Sequence, residues 1–311
     1  MNQRTITVLV VIVIVLGAIW AITAYQTSAR TQQHLTAIQT GDTEAAVRAL
    51  EDLGTRGPEI VAELRGMLNN DHALVRSRAV RLIGAVGKAS HAQLLVPVLQ
   101  MDDAAYVRRD AATAMGRLGA EDALLPLTEA LKNEREADIV RAAAARSLGL
   151  VGEKGAVPAL SRIIETRPAI PDPADEEELE DPTEDLRVAA AQALGNFPVD
   201  IAVEALAQAV DHSLEPSLKV RTAAAYSLGD LATDAEQKLQ KPAVEALLHA
   251  YKDPIGDVRI AAIHAFTKMR LIPEDLGRTI KQTVTKAQRD NHFWVRAAAR
   301  DALNHLAKMG I

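Results

Sequence analysis

One motif recurs along this chain and limits what it can fold into. Val75-Arg76, Val107-Arg108, Val140-Arg141, Leu186-Arg187, Val220-Arg221, Val258-Arg259 and Val295-Arg296 lie at successive intervals of 32, 33, 46, 34, 38 and 37 residues. Four residues after each Val or Leu stands Ala: Ala79, Ala111, Ala144, Ala190, Ala224, Ala262 and Ala299. Eight residues after it stands a large apolar residue: Ile83, Met115, Leu148, Leu194, Leu228, Phe266 and Leu303. Offsets of four and eight trace one stripe along an α-helix, and Ala in its middle lets a neighbouring helix come close. A period of this length marks a stack of like units.

The next position is Gly in the first five copies: Gly84, Gly116, Gly149, Gly195 and Gly229. Its place after an amphipathic run predicts a left-handed C-terminal cap. A second apolar segment follows each Gly, several with Pro97, Pro126, Pro158 or Pro242 near its start. Proline is tolerated in a first helical turn. Each unit therefore reads as helix, turn, helix. A degenerate unit precedes them around Val47–Leu64.

The pattern V-R-x-x-A-A-x-A-L-G followed by V-P-A-L resembles HEAT repeats, of the short HEAT-like type also found in phycobilin lyases. The resemblance covers residues 43–311. It implies an all-α solenoid of about seven to eight helix pairs, each touching only its neighbours. It implies no function, because this scaffold hosts unrelated activities. The recurring arginines Arg76, Arg108, Arg141, Arg187, Arg221, Arg259 and Arg296, with Asp71, Asp103, Asp138, Asp185, Asp257 and Asp290 upstream, resemble a structural ladder between inter-helix turns. Charge-assisted bonds of that kind would fix the stacking register.

Residues 1–25 are of a different character. Between Arg4 and Arg30 there is no charged residue, and Ile6–Tyr25 is almost wholly apolar. Twenty residues at 1.5 Å rise make roughly 30 Å, the thickness of a bilayer core. The reading is an N-terminal transmembrane anchor, with a cleaved signal peptide as the rival, since Thr27-Ser28-Ala29 is a poor cleavage site. Residues 26–42 read as a polar juxtamembrane linker. The short N-terminal head favours an extracytoplasmic, periplasmic placement of the rest; a cytoplasm-facing adaptor is the alternative.

Charge isolates one further segment. The chain carries 35 basic and 41 acidic residues, a net charge of −6. Residues 166–185 hold nine acids and one Arg, so the remainder of the chain sums to +2. This segment also accounts for the long 46-residue interval. Four prolines and little apolar surface make it an acidic insertion between units. Its carboxylates Asp172, Asp175, Glu176, Glu177, Glu178, Glu180 and Asp181 are candidates for docking a basic partner segment or Ca²⁺, although no D-x-D-x-D-G spacing shapes a calcium site.

Chemistry-bearing motifs are scarce. With no cysteine, thiolate metal sites and a Cys nucleophile are excluded. No two of the eight histidines stand three or four apart, and none is followed by Glu. The His-Glu pairs that HEAT-like deoxyhypusine hydroxylases use for iron are thus missing. The chain lacks the basic surplus of HEAT-like DNA glycosylases, so no nucleic-acid partner is expected. No catalytic, metal or cofactor residue is assigned. The expected function is a membrane-anchored, non-catalytic scaffold for protein partners, contacting them through exposed second-helix residues such as Gln100, Glu129, Arg162, Glu204, Gln208, Glu245 and His249. The alternative is a lyase-like or other cofactor-handling enzyme subunit.

Overall fold

The computed structural model describes residues 60–166, 181–234, 237–270, 272 and 274–311, together with Ala29, Gln33 and Thr36. Among these residues there are fourteen α-helices and no strand. The chain divides into two compact units, Met1–Lys88 and Ala89–Ile311.

In the first unit, α1 (Val61–Met67) packs on α2 (Ala73–Val86). The packing is apolar, through Val61, Leu64 and Met67 on α1 and Val75, Ala79 and Ile83 on α2, all buried.

The second unit is a run of helix pairs. First helices are α4 (Ala105–Leu118), α6 (Asp138–Val151), α8 (Glu184–Leu194), α10 (Leu218–Asp234), α12 (Gly256–Lys268) and α14 (Phe293–Lys308). Second helices are α3 (Val96–Met101), α5 (Leu124–Lys132), α7 (Val157–Glu165), α9 (Asp200–Ala209), α11 (Gln237–Ala250) and α13 (Glu274–Ala287). Each first helix packs on the next first helix, and each second helix on the next second helix, so the pairs form two parallel rows. This is the α-solenoid that the repeat predicts. The alanine stripe is its seam: Ala111, Ala144, Ala190, Ala224, Ala262 and Ala299 are all fully buried. So are Met115, Leu148, Leu194, Leu228 and Phe266 eight positions after the Val or Leu.

The recurring glycines do a different job from the one expected. Gly116 and Gly149 lie inside α4 and α6, and the left-handed caps are Gly119 (φ 62°) and Gly152 (φ 77°). The recurring position is instead where successive first helices touch. A Cβ on Gly116 would stand 2.5 Å from the Ser147 Cβ and 2.7 Å from its Cα. On Gly149 it would meet the Ala193 Cα at 2.9 Å, and on Gly229 the Ala265 Cβ at 2.7 Å. Hydrogen is the only substituent that fits, so the first-helix row is drawn tight at these glycines.

Proline behaves as expected at Pro97 and Pro158, in the opening turns of α3 and α7. Pro242 does not open its helix: α11 starts at Gln237 and carries the proline inside. The 38-residue interval here is taken up in part by longer helices, α10 running to Asp234 and α11 starting at Gln237. The buried Gln240 side chain donates to the Ala232 carbonyl at 3.0 Å and ties the start of α11 to the end of α10.

The single-pass membrane localisation expected from the sequence is corrected here. No helix among the described residues is long and apolar enough to cross a membrane. Their apolar residues form stripes, interleaved with charged positions, and the stripes are buried against neighbouring helices. The expected span, residues 1–25, lies outside the described residues, as does linker 26–42 apart from Ala29, Gln33 and Thr36. The extracytoplasmic placement rested on that anchor and is withdrawn with it.

Candidate functional site

The turn before six of the seven first helices, all but α6, is built by a polar side chain. Its oxygen accepts from the backbone N–H two residues on, an Asx-type turn that replaces a backbone bond. Asn70 receives the His72 amide (2.9 Å), Asp102 the Ala104 amide (3.0 Å), Asp181 the Thr183 amide (2.9 Å), Asp253 the Ile255 amide (2.8 Å) and Asp290 the His292 amide (2.8 Å). Glu215 does the same for Ser217 at 2.8 Å. In all six turns this residue stands six positions before the recurring arginine.

The arginine then closes the turn from the other side. Arg76 donates to the carbonyls of Asn70 and Asp71, Arg108 to those of Asp102 and Asp103, and Arg221 to those of Glu215 and Pro216. Arg259 and Arg296 repeat the pattern on Asp253 and Pro254, and on Asp290 and Asn291.

Among the described residues, Arg108, Arg187, Arg221 and Arg259 also reach the turn of the following unit. Arg108 makes a two-pronged pair with Glu136 at 2.9 and 2.7 Å. Arg187 pairs with Glu215. Arg221 pairs with Asp253 at 2.7 Å. Arg259 holds Asp290 at 3.0 and 2.8 Å and Asn291 at 2.9 Å. Bidentate guanidinium–carboxylate bonds are directional as well as strong. Arg187 and Glu215 are fully buried, and Arg221 and Asp253 nearly so.

The sequence pointed to all seven arginines but mostly to the wrong acids. Of the acids expected in the ladder, Asp138 and Asp290 bond an arginine through their carboxylates, and Asp71 and Asp103 accept from one through their carbonyls. The partners that were missed, Glu136, Glu215 and Asp253, stand 28 to 32 residues beyond the arginine they bind. For Glu215 and Asp253 the signal in the sequence is the fixed six-residue offset between turn-builder and arginine; Glu136 stands five before Arg141.

The bonds set the charge states of the carboxylates. Burial pushes the Asp290 carboxyl up, but the bonds from Arg259 and the His292 amide outweigh it and hold the group below its ordinary value. Burial is likewise outweighed at Glu136 by Arg108 and the Ala137 amide, at Asp181 by Thr183 and Arg187, at Glu184 by Lys219 and Ser217, and at Asp211 by Ser213. The Arg108 guanidinium is raised by its bond to Glu136. A carboxyl depressed in the folded state stabilises fully above its unfolded value, about 4, and that stability is lost as pH falls through the folded value. Thermal melts should therefore hold level from neutral pH down to about 5 and fall below about 4. A melting temperature that rises over that acid range would contradict the assignment.

The acidic insertion interrupts the ladder. Asp181, which the offset would align with Arg141, pairs instead with Arg187 of its own unit and accepts from the Thr183 hydroxyl at 2.8 Å. Arg141 bonds Asp138 in its own helix at 3.0 Å and the Leu131 carbonyl at 3.2 Å. A cavity of about 750 Å³ opens at this break, between α5, α6, α7 and the start of α8. Asp172, Asp175, Glu176, Glu177, Glu178 and Glu180 lie outside the described residues.

The second-helix row presents Gln100, Glu129, Arg162, Glu204, Gln208, Glu245 and His249, all exposed. Gln100 and Glu129 are within 3.4 Å across neighbouring helices, and His249 lies 3.5 Å from Asp211. At the start of α14, Phe293 and Trp294 are 54% and 64% exposed. They meet edge to face at 5.0 Å, with Arg296 over the Phe293 ring. Among the described residues, no three His, Asp or Glu side chains are grouped to hold a metal ion.

HEAT repeats match residues 31–116, 99–170 and 176–267 of the sequence. The chain belongs to the HEAT-repeat family. Its fold is shared by the X-ray structure of YibA from E. coli, which aligns with a TM-score of 0.50 and 17% identity, over 84% of this HEAT-repeat chain and 89% of YibA. The CpcE–CpcF complex of phycocyanin lyase from Nostoc sp. PCC7120 gives 0.48 and 20%, over 82% and 90%. Human deoxyhypusine hydroxylase gives 0.36 and 20%, over 91% and 99%. No curated protein matches the chain by sequence.

Proposed function

We propose that this HEAT-repeat protein is a non-catalytic scaffold whose second-helix row binds a protein partner. The observation that carries the reading is the division of labour between the two rows. The ladder side chains at the starts of the first helices are tied to turns and to one another, as at Arg187–Glu215, Arg221–Asp253 and Arg259–Asp290. The second helices carry exposed residues of mixed sign, from Gln100 to His249, on a backbone that the ladder holds in register. A pre-ordered surface loses little conformational freedom on binding, and that favours affinity. The arginine ladder is structural in this reading. The insertion carboxylates are not needed for it.

Photo-crosslinking tests the proposal. A crosslinker in place of Gln208 or Glu204 should trap one protein that then co-purifies in fixed stoichiometry. A crosslinker at Gln192, exposed on first helix α8, should not. No adduct, or the same adducts at both rows, would sink the assignment.

A further inference from the structure

We propose that the cleft at the break in the ladder, beside Arg141 and Arg187, binds an acidic peptide segment of a partner protein. It deepens the scaffold reading and rests on it for the partner being a protein. Four cations line it, Lys132, Arg141, Arg162 and Arg187, with Glu134 as the lining carboxylate; Arg141 is paired with Asp138 and Arg187 with Asp181 and Glu215, whereas Lys132 and Arg162 have no ion-pair partner among the described residues. Pro158, Ile163 and Leu186 supply an apolar wall. A volume of about 750 Å³ suits several residues of an extended segment, within the roughly 300–1,000 Å³ of ordinary ligand pockets.

Two observations point to a carboxylate as the bound group. At Arg108, Arg187, Arg221 and Arg259 the protein itself places a carboxylate from the next unit on the guanidinium. At Arg141 no described residue of the next unit does so: Asp181 is taken by Arg187, and the carboxylate on Arg141 is Asp138, 39% exposed at the edge. The second is Arg187. Its side chain is fully buried, it lines the cleft, and its Nε has no hydrogen-bond partner among the described residues although both terminal nitrogens are paired. A buried donor without a partner is costly, and a ligand oxygen would satisfy it. Lys132 and Arg162 are exposed at the rim, and would act on encounter as well as in the complex.

The test uses the full chain and a blocked, fluorescent hexaglutamate peptide at low ionic strength, read by anisotropy. The peptide should bind saturably. Lys132→Glu with Arg162→Glu should weaken it by about tenfold or more, charge reversal at two positions being the cause, with the melting temperature unchanged. If that variant is misfolded, Arg162→Gln alone should still weaken binding. Inorganic phosphate should fail to displace the peptide at equal concentration. The inference is overturned if no saturable binding occurs, if charge reversal leaves affinity unchanged, or if phosphate competes equally. It is also overturned if the peptide binds only after Asp172, Asp175, Glu176, Glu177, Glu178 and Glu180 are neutralised, since the chain would then fill its own cleft. Loss of the cleft alone leaves the Gln208 crosslink standing, so failure of this inference and failure of the scaffold reading are separable.

Discussion

Arg187→Ala should lower the melting temperature by roughly 6–20 °C. Its guanidinium and the Glu215 carboxylate are both fully buried, and Asp181 holds it from the other side. Removing the cation leaves Glu215 charged and unpaired in the interior. Breaking a buried pair in this way costs about 3–5 kcal/mol. In a domain of this size each kcal/mol shifts the melt by roughly 2–4 °C. Arg296→Ala is the internal comparison. Arg296 occupies the same place in the last unit, but among the described residues it hydrogen-bonds only the Asp290 and Asn291 carbonyls. Its loss should cost clearly less. Replacing Arg187 and Glu215 together by Met should recover much of the stability lost with Arg187 alone, since the stranded charge goes too. Equal melts for the Arg187 and Arg296 alanine variants would refute the ladder as a set of buried ion pairs.

Gly116→Ala should also be destabilising, by about 1–3 kcal/mol, the usual cost of overpacking a filled interior. The sign is informative, because Ala in a helix interior is ordinarily better than Gly by roughly 0.5–1 kcal/mol. Here the new methyl would stand 2.5 Å from the Ser147 Cβ and Oγ and 2.7 Å from its Cα. Helices α4 and α6 would have to part. Ser147→Gly should rescue only part of the loss, because the backbone at residue 147 is still too near the added methyl. Gly66 in α1 is the control: it is exposed and a Cβ there meets nothing within 4 Å. Gly66→Ala should therefore stabilise, by about 0.5–1 kcal/mol. Calorimetric melts of the three variants check the set, and a neutral or stabilising Gly116→Ala would remove the close-approach account.

Glycine and proline show where the sequence stops being enough. The stripe from Val107 through Ala111 to Met115 could be read directly, because offsets of four and eight have one structural meaning. So could the opening-turn prolines, Pro97 and Pro158. Pro242 was misplaced because helix α11 takes in five preceding residues that resemble a turn in composition. Gly116 looks like a cap in the sequence because a glycine late in a helical pattern has two uses, conformational freedom and absence of a side chain. Only the neighbouring helix tells them apart.

The same holds for the candidate site. That seven arginines recur, and that an acidic insertion lengthens one interval, are facts of the sequence. Which acid meets which arginine is not. Asp253 and Asp257 both precede Arg259 in one short stretch, and nothing local separates them, yet Asp253 is the one that faces Arg221. Reach across a stack depends on the offset between units, which packing sets. An all-α array of helix pairs follows from the repeat alone, through a local period that each helix satisfies on its own. The tertiary structure decided the ladder partners, the role of the glycines and the cationic cleft, because each depends on residues about one repeat apart in the chain brought together by stacking.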